Sequence, residues 1–463
     1  MMVFDTIAAI ATAQGPGAVA IVRLSGPDAL AIADRIYRTV KHRVPSTRLS
    51  SRPSHGVFLG WLYHPVTEQI VDQALVLLMR APNSFTGEDV VEFQVHGGAA
   101  PTRVLGLILS QGARLAAPGE FTKRAFLNGR LDLTQAEAIG DVVSAHSERA
   151  LQVALNQLDG QLAKHVLTAR QHLTALLARL EAAIDFPDEV DDVSQQEALH
   201  LLDEAAGCVG GLLATAQEGQ ILREGLALAI VGRPNAGKSS LLNALLGRER
   251  AIVTDIAGTT RDVLEESLQL GGVWFRIVDT AGIRETEDKV EAMGVARSKV
   301  ALEQADVVLL VCDLDAGIDA REKELLAAIG DRPGVIVGNK LDTVTNPAVA
   351  YERLSSLGGE YPVALVAAPR GEGVAALCAV IVQEALQGSA CTSATAINAR
   401  HRRCLENAQA CVSHAREASL NGLPADFIAI DVKAAIAGLC EMTGDAIAED
   451  VIEEVFRSFC VGK

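Results

Sequence analysis

The sequence predicts a multidomain protein: an α+β region at 1–125, an all-α region in two parts at 126–223 and 385–463, and an α/β domain at 224–384 inserted between those parts. Three observations predict this. Short apolar runs broken by turn residues open the chain, a 3.6-residue period follows them, and buried strands then alternate with helices. A chain of 463 residues also has the length of about three domains.

The first region carries short apolar runs separated by turns. The runs lie at 18–24, 74–79 and 90–95, and glycine and proline at 15–17 and 81–83 interrupt them. Short strands between such turns are typical of a small α+β domain.

Helical periodicity begins at Thr134. The spacing of Thr134 and Glu137 predicts a capping box that opens a first helix running to Gly160. Apolar residues three and four apart then predict a second helix at 162–184 and a third at 199–216.

The helical period returns at 405–415 and 451–459. About 75 residues are too few to make a secure core alone. We therefore expect these helices to pack against those of 134–218, with the two ends of the inserted domain close together.

A phosphate-binding loop opens the inserted domain. Residues 232–239 have the sequence Gly-Arg-Pro-Asn-Ala-Gly-Lys-Ser, between an apolar run at 226–231 and a helical pattern. In that context backbone N–H groups and a helix N-terminus face a phosphate. Lys238 supplies charge to the β- and γ-phosphates, and Ser239 a hydroxyl to Mg²⁺. The predicted loop contacts are Asn235, Ala236, Gly237, Lys238, Ser239 and Ser240.

Three more motifs follow in the order of a guanine-nucleotide-binding domain: Thr259-Thr260, Asp-Thr-Ala-Gly at 279–282 and Asn-Lys-Leu-Asp at 339–342. The last follows a buried strand and places the Asp342 carboxylate where it accepts from N1–H and N2–H₂ of guanine. Adenine has no such pair of donors, so the sequence predicts GTP as the ligand.

The strands of this domain are expected to form a mostly parallel sheet with helices on both faces. The predicted strands are 226–231, a hairpin turning at 271–272, and 306–312, 334–337 and 362–366.

Ile283 stands where many GTPases have a glutamine that orients the attacking water. Two residues are alternative candidates for assisting GTP hydrolysis. Glu291, in an acidic stretch beyond the switch, reaches a water directly or through a second one. The Asn235 side chain holds a monovalent cation beside the phosphates, where it offsets developing charge.

Net charge, cysteine content and hydropathy further narrow the classes of protein to which this chain belongs. A net charge of −17 argues against an extended nucleic-acid surface built by this chain alone, so an RNA substrate would need local basic patches or a basic partner. Eight cysteines, none in a Cys-x-x-Cys pair, fit a reducing cytosol. No apolar run is long enough to span a bilayer, and the N-terminus lacks the basic start of a signal peptide. We expect a cytoplasmic protein.

Long segments that resemble those of a known family are spread over nearly the whole chain. They are 83–89, 119–128, 132–138, 183–189 and 459–463 outside the nucleotide domain, and 254–262 and 279–284 within it. On these segments the chain resembles the MnmE (TrmE) family, the GTPases of wobble-uridine modification in tRNA.

The resemblance implies homodimers that form through the N-terminal domain, which binds folate. It also implies a heterotetramer with MnmG (GidA), an FAD-dependent protein. Together these proteins add an aminomethyl or carboxymethylaminomethyl group to C5 of uridine 34 in tRNA. The one-carbon unit comes from 5,10-methylenetetrahydrofolate.

The resemblance also assigns residues. Folate-pocket positions are Arg23, Glu88, Arg130 and Lys463, and Cys460 matches a cysteine the family needs for modification. The K⁺ ligands would be the Asn235 side chain, backbone oxygens of Thr254 and Ile256, and Thr259, whereas Ser239 and Thr260 would hold Mg²⁺. Glu291 takes the position of the catalytic glutamate. Further nucleotide contacts would be Asp255, Ala257, Gly258, Asp279, Thr280, Ala281, Gly282, Asn339, Lys340, Ala367 and Ala368.

Two departures from the family pattern concern binding. Arg130 replaces the usual lysine in the folate region, which keeps the charge and changes its geometry. Ala367-Ala368-Pro369 replaces a guanine-contacting Ser-Ala-Lys, so only the Ala368 backbone N–H remains to reach guanine O6.

Two other functions are alternatives for this chain. A ribosome-assembly GTPase switch shares the hydrophobic residue at position 283, but such proteins usually carry a basic RNA-binding module, and this chain has only the short 400–403 cluster. A regulatory scaffold that uses the GTPase as a timer would have no folate pocket.

Overall fold

The computed structural model describes residues 5–13, 15, 17–39, 48–189, 191–248, 266–278, 302–386, 395–457 and 459–463. Within them the chain builds a mixed sheet, a helical bundle and a parallel sheet, each with its own hydrophobic core. Among the helices described, none is long and apolar enough to cross a bilayer.

The N-terminal region forms a seven-stranded sheet among its described residues, in the order β3-β4-β5-β6-β2-β1-β7. Helices α1 and α2 cover one face and close its core. The predicted runs are strands β2, β5 and β6, although β5 begins four residues earlier than expected. The bounds are β1 Ile7–Ile10, β2 Val19–Ser25, α1 Ala29–Ile36, β3 Tyr37–Thr39, β4 Gly56–Tyr63, β5 Ile70–Met79, β6 Val90–His96, α2 Ala100–Ser110, β7 Arg114–Leu115 and α3 Glu120–Leu127.

Five helices follow. They are α4 Leu133–Ser144, α5 Glu148–Leu158, α6 Gln161–Asp185, α7 Gln195–Leu213 and α8 Ala216–Glu224. The predicted capping box was wrong. Asp132 is the N-cap and pairs with Gln135, while Thr134 donates to the Asp132 carboxylate at 2.6 Å. Glu137 points into the bundle instead.

The prediction of a single helix from Thr134 to Gly160 was also wrong, because the helix is interrupted between α4 and α5. Ala145 takes an extended backbone and the Ser147 side chain caps α5 by accepting from the N–H of Ala150. At the break, the ring of His146 stacks on Trp274, 4.1 Å between centroids.

The inserted domain has a sheet in the order β13-β12-β11-β8-β10-β9, parallel except for the β9–β10 hairpin. Helices pack on both faces, as predicted. The bounds are β8 Leu226–Gly232, α9 Lys238–Arg248, β9 Ser267–Leu270, β10 Val273–Val278, β11 Val307–Asp313, α10 Ala320–Ile329, β12 Gly334–Asn339, α11 Pro347–Gly358, β13 Val363–Leu365 and α12 Val374–Ala385.

The chain then returns to the bundle through α13 Ala399–Leu420, α14 Ala425–Thr443 and α15 Glu449–Arg457. Helices α13 and α14 share one core with α6 and α7, so the helices on either side of the insertion pack together as expected. The last residues continue to the N-terminal region, where Val461 forms a β-bridge with Pro118.

Candidate functional site

The loop between β8 and α9 requires glycine at two positions. A Cβ on Gly237 would lie 2.1 Å from Nδ2 of Asn339, and its φ is +87°. A Cβ on Gly232 would lie 2.3 Å from the carbonyl oxygen of Val311. The loop therefore approaches the neighbouring strands more closely than any side chain permits.

Lys238 is the first residue of α9 and folds back over the loop. Its ammonium donates to the carbonyl oxygens of Gly232 at 2.9 Å and Arg233 at 2.8 Å. Burial lowers the pKa of Lys238. A phosphate at the mouth of this loop would supply the negative charge that the buried ammonium lacks.

Asn339, at the end of β12, ties the loop to the base-recognition segments. Its side-chain amide donates to the carbonyls of Ala236 at 3.0 Å and Gly237 at 3.4 Å, and its oxygen accepts from the N–H of Ala368 at 3.3 Å. The residue is 1% exposed. The backbone N–H of Ala368, which the sequence predicts to contact guanine O6, is therefore the group that donates to Asn339.

Asp342, the residue predicted to accept hydrogen bonds from guanine, follows Lys340 in a short turn. Lys340 has a φ of +65° and donates to Asp313 at 2.6 Å. Burial opposes ionisation of Asp313, but the hydrogen bond and charge of Lys340, together with backbone N–H donors from Asp315 and Ala316, outweigh it and lower the pKa of the carboxyl. The Asp342 carboxylate is 3.4 Å from Nε of Arg370, a residue that the sequence analysis did not single out.

Several predicted residues lie outside the described residues: Thr254, Asp255, Ile256, Ala257, Gly258, Thr259, Thr260, Asp279, Thr280, Ala281, Gly282 and Glu291. Of the predicted metal ligands, Asn235 and Ser239 are described, and both are exposed at the loop. Asn235 has a φ of +63°. Amide and hydroxyl oxygens are the donors that Mg²⁺ and K⁺ accept, so both residues fit such ions by chemistry.

A second group of predicted residues meets on the N-terminal sheet. Arg23 of β2 pairs with Glu92 of β6 at 2.7 Å, and its guanidinium lies 5.3 Å from the centre of the Phe85 ring and 5.5 Å from that of Phe121. It also donates to the carbonyl of Gly462 at 3.4 Å. The C-terminal residues therefore end beside Arg23.

Lys463 is fixed there by its backbone, because its carbonyl accepts from the N–H of Phe121 at 3.2 Å. Burial lowers the pKa of Lys463; the neighbouring Cys460 acts against this shift, and the like charge of Arg23 acts with it. Cys460, three residues earlier, is exposed, and its carbonyl accepts from the N–H of Gly119 at 3.2 Å.

Glu88 and Arg130 flank the same region. The Glu88 carboxylate accepts from Ser25 at 2.6 Å and from Arg124 at 3.2 Å. Arg130 packs against the turn at Gly87, where an added Cβ would lie 3.4 Å from its Cγ. The sequence analysis missed Arg124 and Glu92. The sequence did contain a signal of this site, because Glu92 is an acidic residue inside an apolar strand.

Together, a parallel sheet, a glycine-dependent phosphate loop and an Asn-Lys-x-Asp turn tied to it define a P-loop guanine-nucleotide-binding protein. Two family models match the chain: the MnmE helical domain over residues 133–460 and the GTP-binding protein TrmE N-terminus over residues 6–130. The chain is 48% identical over 467 residues to the tRNA modification GTPase MnmE of Moorella thermoacetica and 46% identical over 473 residues to that of Heliobacterium modesticaldum, with 100% of both chains covered in each case. The chain belongs to the MnmE (TrmE) family of tRNA modification GTPases.

Two solved structures of other proteins are similar to part of this chain. Aquifex aeolicus Era bound to GDP and AlF₄⁻ is 24% identical, with a TM-score of 0.27 over 40% of this chain and 66% of that one. The FeoB G-domain of Methanococcus jannaschii is 23% identical, with a TM-score of 0.25 over 35% of this chain and 97% of that one. Similarity this low adds nothing to the assignment.

Proposed function

We propose that this chain is a K⁺-dependent GTPase that acts with the FAD-dependent protein MnmG (GidA) on C5 of uridine 34 in tRNA. The product would be aminomethyl or carboxymethylaminomethyl uridine, and the one-carbon unit would come from 5,10-methylenetetrahydrofolate. The observation that carries the proposal is that the segment ending in Lys463 lies against the N-terminal sheet, where Arg23 donates to the carbonyl of Gly462.

In the nucleotide site, Lys238 neutralises the β- and γ-phosphates and Asp342 accepts from guanine. Mg²⁺, held by Ser239 and Thr260, would neutralise charge on the phosphate oxygens. Asn235 would hold K⁺ with the backbone oxygens of Thr254 and Ile256 and with Thr259. Asn235 supports this role by its position, since its left-handed backbone sets it at the exposed edge of the loop.

Hydrolysis requires a group that orients water, because Ile283 has no polar atom. We assign that role to Glu291. A carboxylate accepts a proton from water, or holds a bridging water in place, as the water attacks the γ-phosphate.

The second site fits a folate by charge. Folate tails carry carboxylates, and Arg23 and Lys463 present two cations side by side. A ligand carboxylate would offset the cost of burying the Lys463 ammonium next to Arg23. Glu88, fixed by Ser25 and Arg124, presents an acceptor to N–H donors of the pterin ring, and Arg130 adds a further cation. Cys460 lies within the same tail, so we keep it as a candidate participant in modification.

The open face of the N-terminal sheet supports the homodimer. Val57, Leu59 and Leu75 are 56%, 49% and 42% exposed, and Leu59 pairs with Leu75 across β4 and β5. Gln94 of β6 is the register partner of both Ile21 in β2 and Leu75 in β5, so these three residues share one face of the sheet. Arg23 lies two residues after Ile21 and therefore lies on the same face. A second copy would cover the apolar face and enclose the folate site.

We also propose domain limits of 1–125, 126–223, 224–384 and 385–463, a cytoplasmic location, and a heterotetramer with MnmG that binds tRNA. The two separate cores of the bundle and the parallel sheet support the limits of the insertion.

The proposal is tested by deleting the gene and analysing wobble nucleosides by mass spectrometry. We expect 5-carboxymethylaminomethyl- or aminomethyl-type uridines to disappear and to return with wild type but not with Glu291→Ala. Nucleosides that do not change on deletion would refute the proposal, and ribosome profiles would then test the assembly-factor alternative.

A further inference from the structure

The end of the helical bundle formed by the α13–α14 turn and the C-terminus of α6 carries a group of exposed, large apolar side chains. All are between 39% and 65% exposed. We call them the tip patch: Ile184, Phe186, Leu420, Leu423, Phe427 and Ile430.

The tip patch spans two helices. Helices α6 and α14 run antiparallel, because Arg170 pairs with Asp445 at one end and Glu181 with Lys433 toward the other. The second pair is 2.9 Å apart. One turn beyond it on each helix come Ile184 and Ile430, so both residues lie toward the same end of the bundle.

The bundle core does not need these residues. Ile428, Ala429 and Val432 of α14 are buried against α6 and α13, whereas Phe427 and Ile430 of the same helix are 56% and 65% exposed. A helix with apolar residues on a second, exposed face loses solubility unless that face meets a partner.

Acidic residues neighbour the tip patch in sequence. The segment 181–192 contains six carboxylates and no lysine or arginine, and Asp426 and Asp431 add two more on α14. Cations on these helices are paired: Lys433 with Glu181, Arg416 with Asp203 at 2.7 Å, and Arg179 with Glu197. The six carboxylates are Glu181, Asp185, Asp188, Glu189, Asp191 and Asp192.

We propose that the tip patch docks a partner protein whose contact surface is apolar at the centre and rimmed by lysine and arginine. The acidic rim repels nucleic acid and anionic lipid, and a second copy of this chain would bring two acidic rims together. A protein with complementary charge is the occupant that satisfies both the apolar centre and the rim.

For the identity of the partner the inference rests on the proposed function, in which the partner is the FAD-dependent protein. Helix α6 is 25 residues long, so the tip patch lies about 37 Å from the start of that helix. That start lies beside α4, since Gln135 donates to the carbonyl of Leu158 at 2.9 Å. The tip patch is therefore an anchor that holds the partner at a distance from the folate site and does not take part in the chemistry.

The test compares the full-length chain with a Phe427→Ser/Ile430→Ser double variant and with Leu167→Ser. Leu167 lies on α6 away from the tip and is 42% exposed, so it is a matched control. The purified FAD-dependent protein is titrated into each and followed by its flavin absorbance in sedimentation. We expect the double variant to bind at least about 10-fold more weakly and Leu167→Ser to bind as wild type does.

A charge variant tests the rim separately. Asp185→Lys/Asp188→Lys is expected to weaken binding, and wild-type binding is expected to weaken as salt is raised. Since the anchor does no chemistry, the modification rate at saturating partner and the GTP hydrolysis rate of the chain alone should match wild type in every variant.

The outcomes separate the two proposals. Wild-type binding that both tip variants retain would overturn the docking assignment and leave the proposed function intact. Failure of the wild-type chain to bind the FAD-dependent protein at all would overturn both. Binding of tRNA that is lost in the double variant would overturn the choice of a protein as occupant.

Discussion

Glu137 links the helices that precede the inserted domain to those that follow it, and replacing it should destabilise the bundle. Its carboxylate accepts from Arg400 at 2.8 Å and 3.0 Å and lies 2.5 Å from Nε2 of His401. The three side chains are 8%, 11% and 0% exposed. Arg400 also donates to the carbonyls of Glu441 and Met442, which fixes the end of α14.

Glu137→Ala removes the counter-charge of Arg400, whose side chain is 11% exposed, and leaves the fully buried His401 without the carboxylate beside it. Removing one member of a buried ion pair costs about 3–5 kcal/mol, and we expect a loss in that range. Burial by itself raises the pKa of Glu137, but His401 and Arg400 outweigh it and hold the pKa well below its usual range. A lowered carboxyl pKa stabilises the fold above the unfolded value of about 4.3, and that stability is lost as pH falls toward the folded value.

The assay is urea unfolding followed by the circular dichroism of the helices. Glu406→Ala is the control, because Glu406 pairs with Arg402 on α13 with side chains 50% and 58% exposed, and it should cost no more than about 0.5 kcal/mol. In wild type, unfolding should become easier as pH falls below about 4, and Glu137→Ala should weaken that dependence. A cost for Glu137→Ala equal to that of Glu406→Ala would refute the account of this cluster.

Three further predictions concern the two ligand sites. Gly237→Ala should weaken GTP and GDP binding by at least about 10-fold in a fluorescence titration, because its Cβ would meet Asn339 at 2.1 Å and its φ is +87°; unchanged affinity would contradict the loop geometry. Arg23→Ala should weaken methylenetetrahydrofolate binding by about 10-fold by calorimetry, with GTP affinity as in wild type; loss of both would indicate a folding defect. Arg370→Ala should tighten GDP binding by about 2- to 5-fold, because an exposed cation no longer competes for Asp342; weaker binding would show that Arg370 contacts the nucleotide instead.

The nucleotide loop and the strands of the parallel sheet were predictable because their signals are local. The loop and its flanking strand and helix occupy fewer than thirty consecutive residues, so spacing alone places Lys238 at the first turn of α9. The apolar runs of the strands likewise predict burial on both faces of a parallel sheet.

The bundle shows where local signals fail. Thr134–Glu137 and Asp132–Gln135 both have the spacing of a capping box, and the structure uses the second. Glu137 is drawn inward by Arg400, 263 positions away, and no pattern in either segment reveals that pairing. The break between α4 and α5 had a local signal, Ser147 followed by Glu148, which is typical of a helix start.

The proposed folate site could not be found from spacing either. Arg23 and Gly462 are 439 positions apart and meet only because the last residues pair with the segment before α3. An isolated arginine in a strand predicts a surface charge, so the resemblance to a family was the only route to this residue.

The central claim is that GTP hydrolysis, assisted by K⁺, drives a modification carried out with a folate-bound carbon. The most direct test is the rate of wobble-uridine modification by the purified chain, its FAD-dependent partner, tRNA and methylenetetrahydrofolate, measured with GTP in K⁺ and in Na⁺. The account predicts product with GTP in K⁺, and little with Na⁺ or with a non-hydrolysable GTP analogue. Equal rates in all three conditions would contradict it.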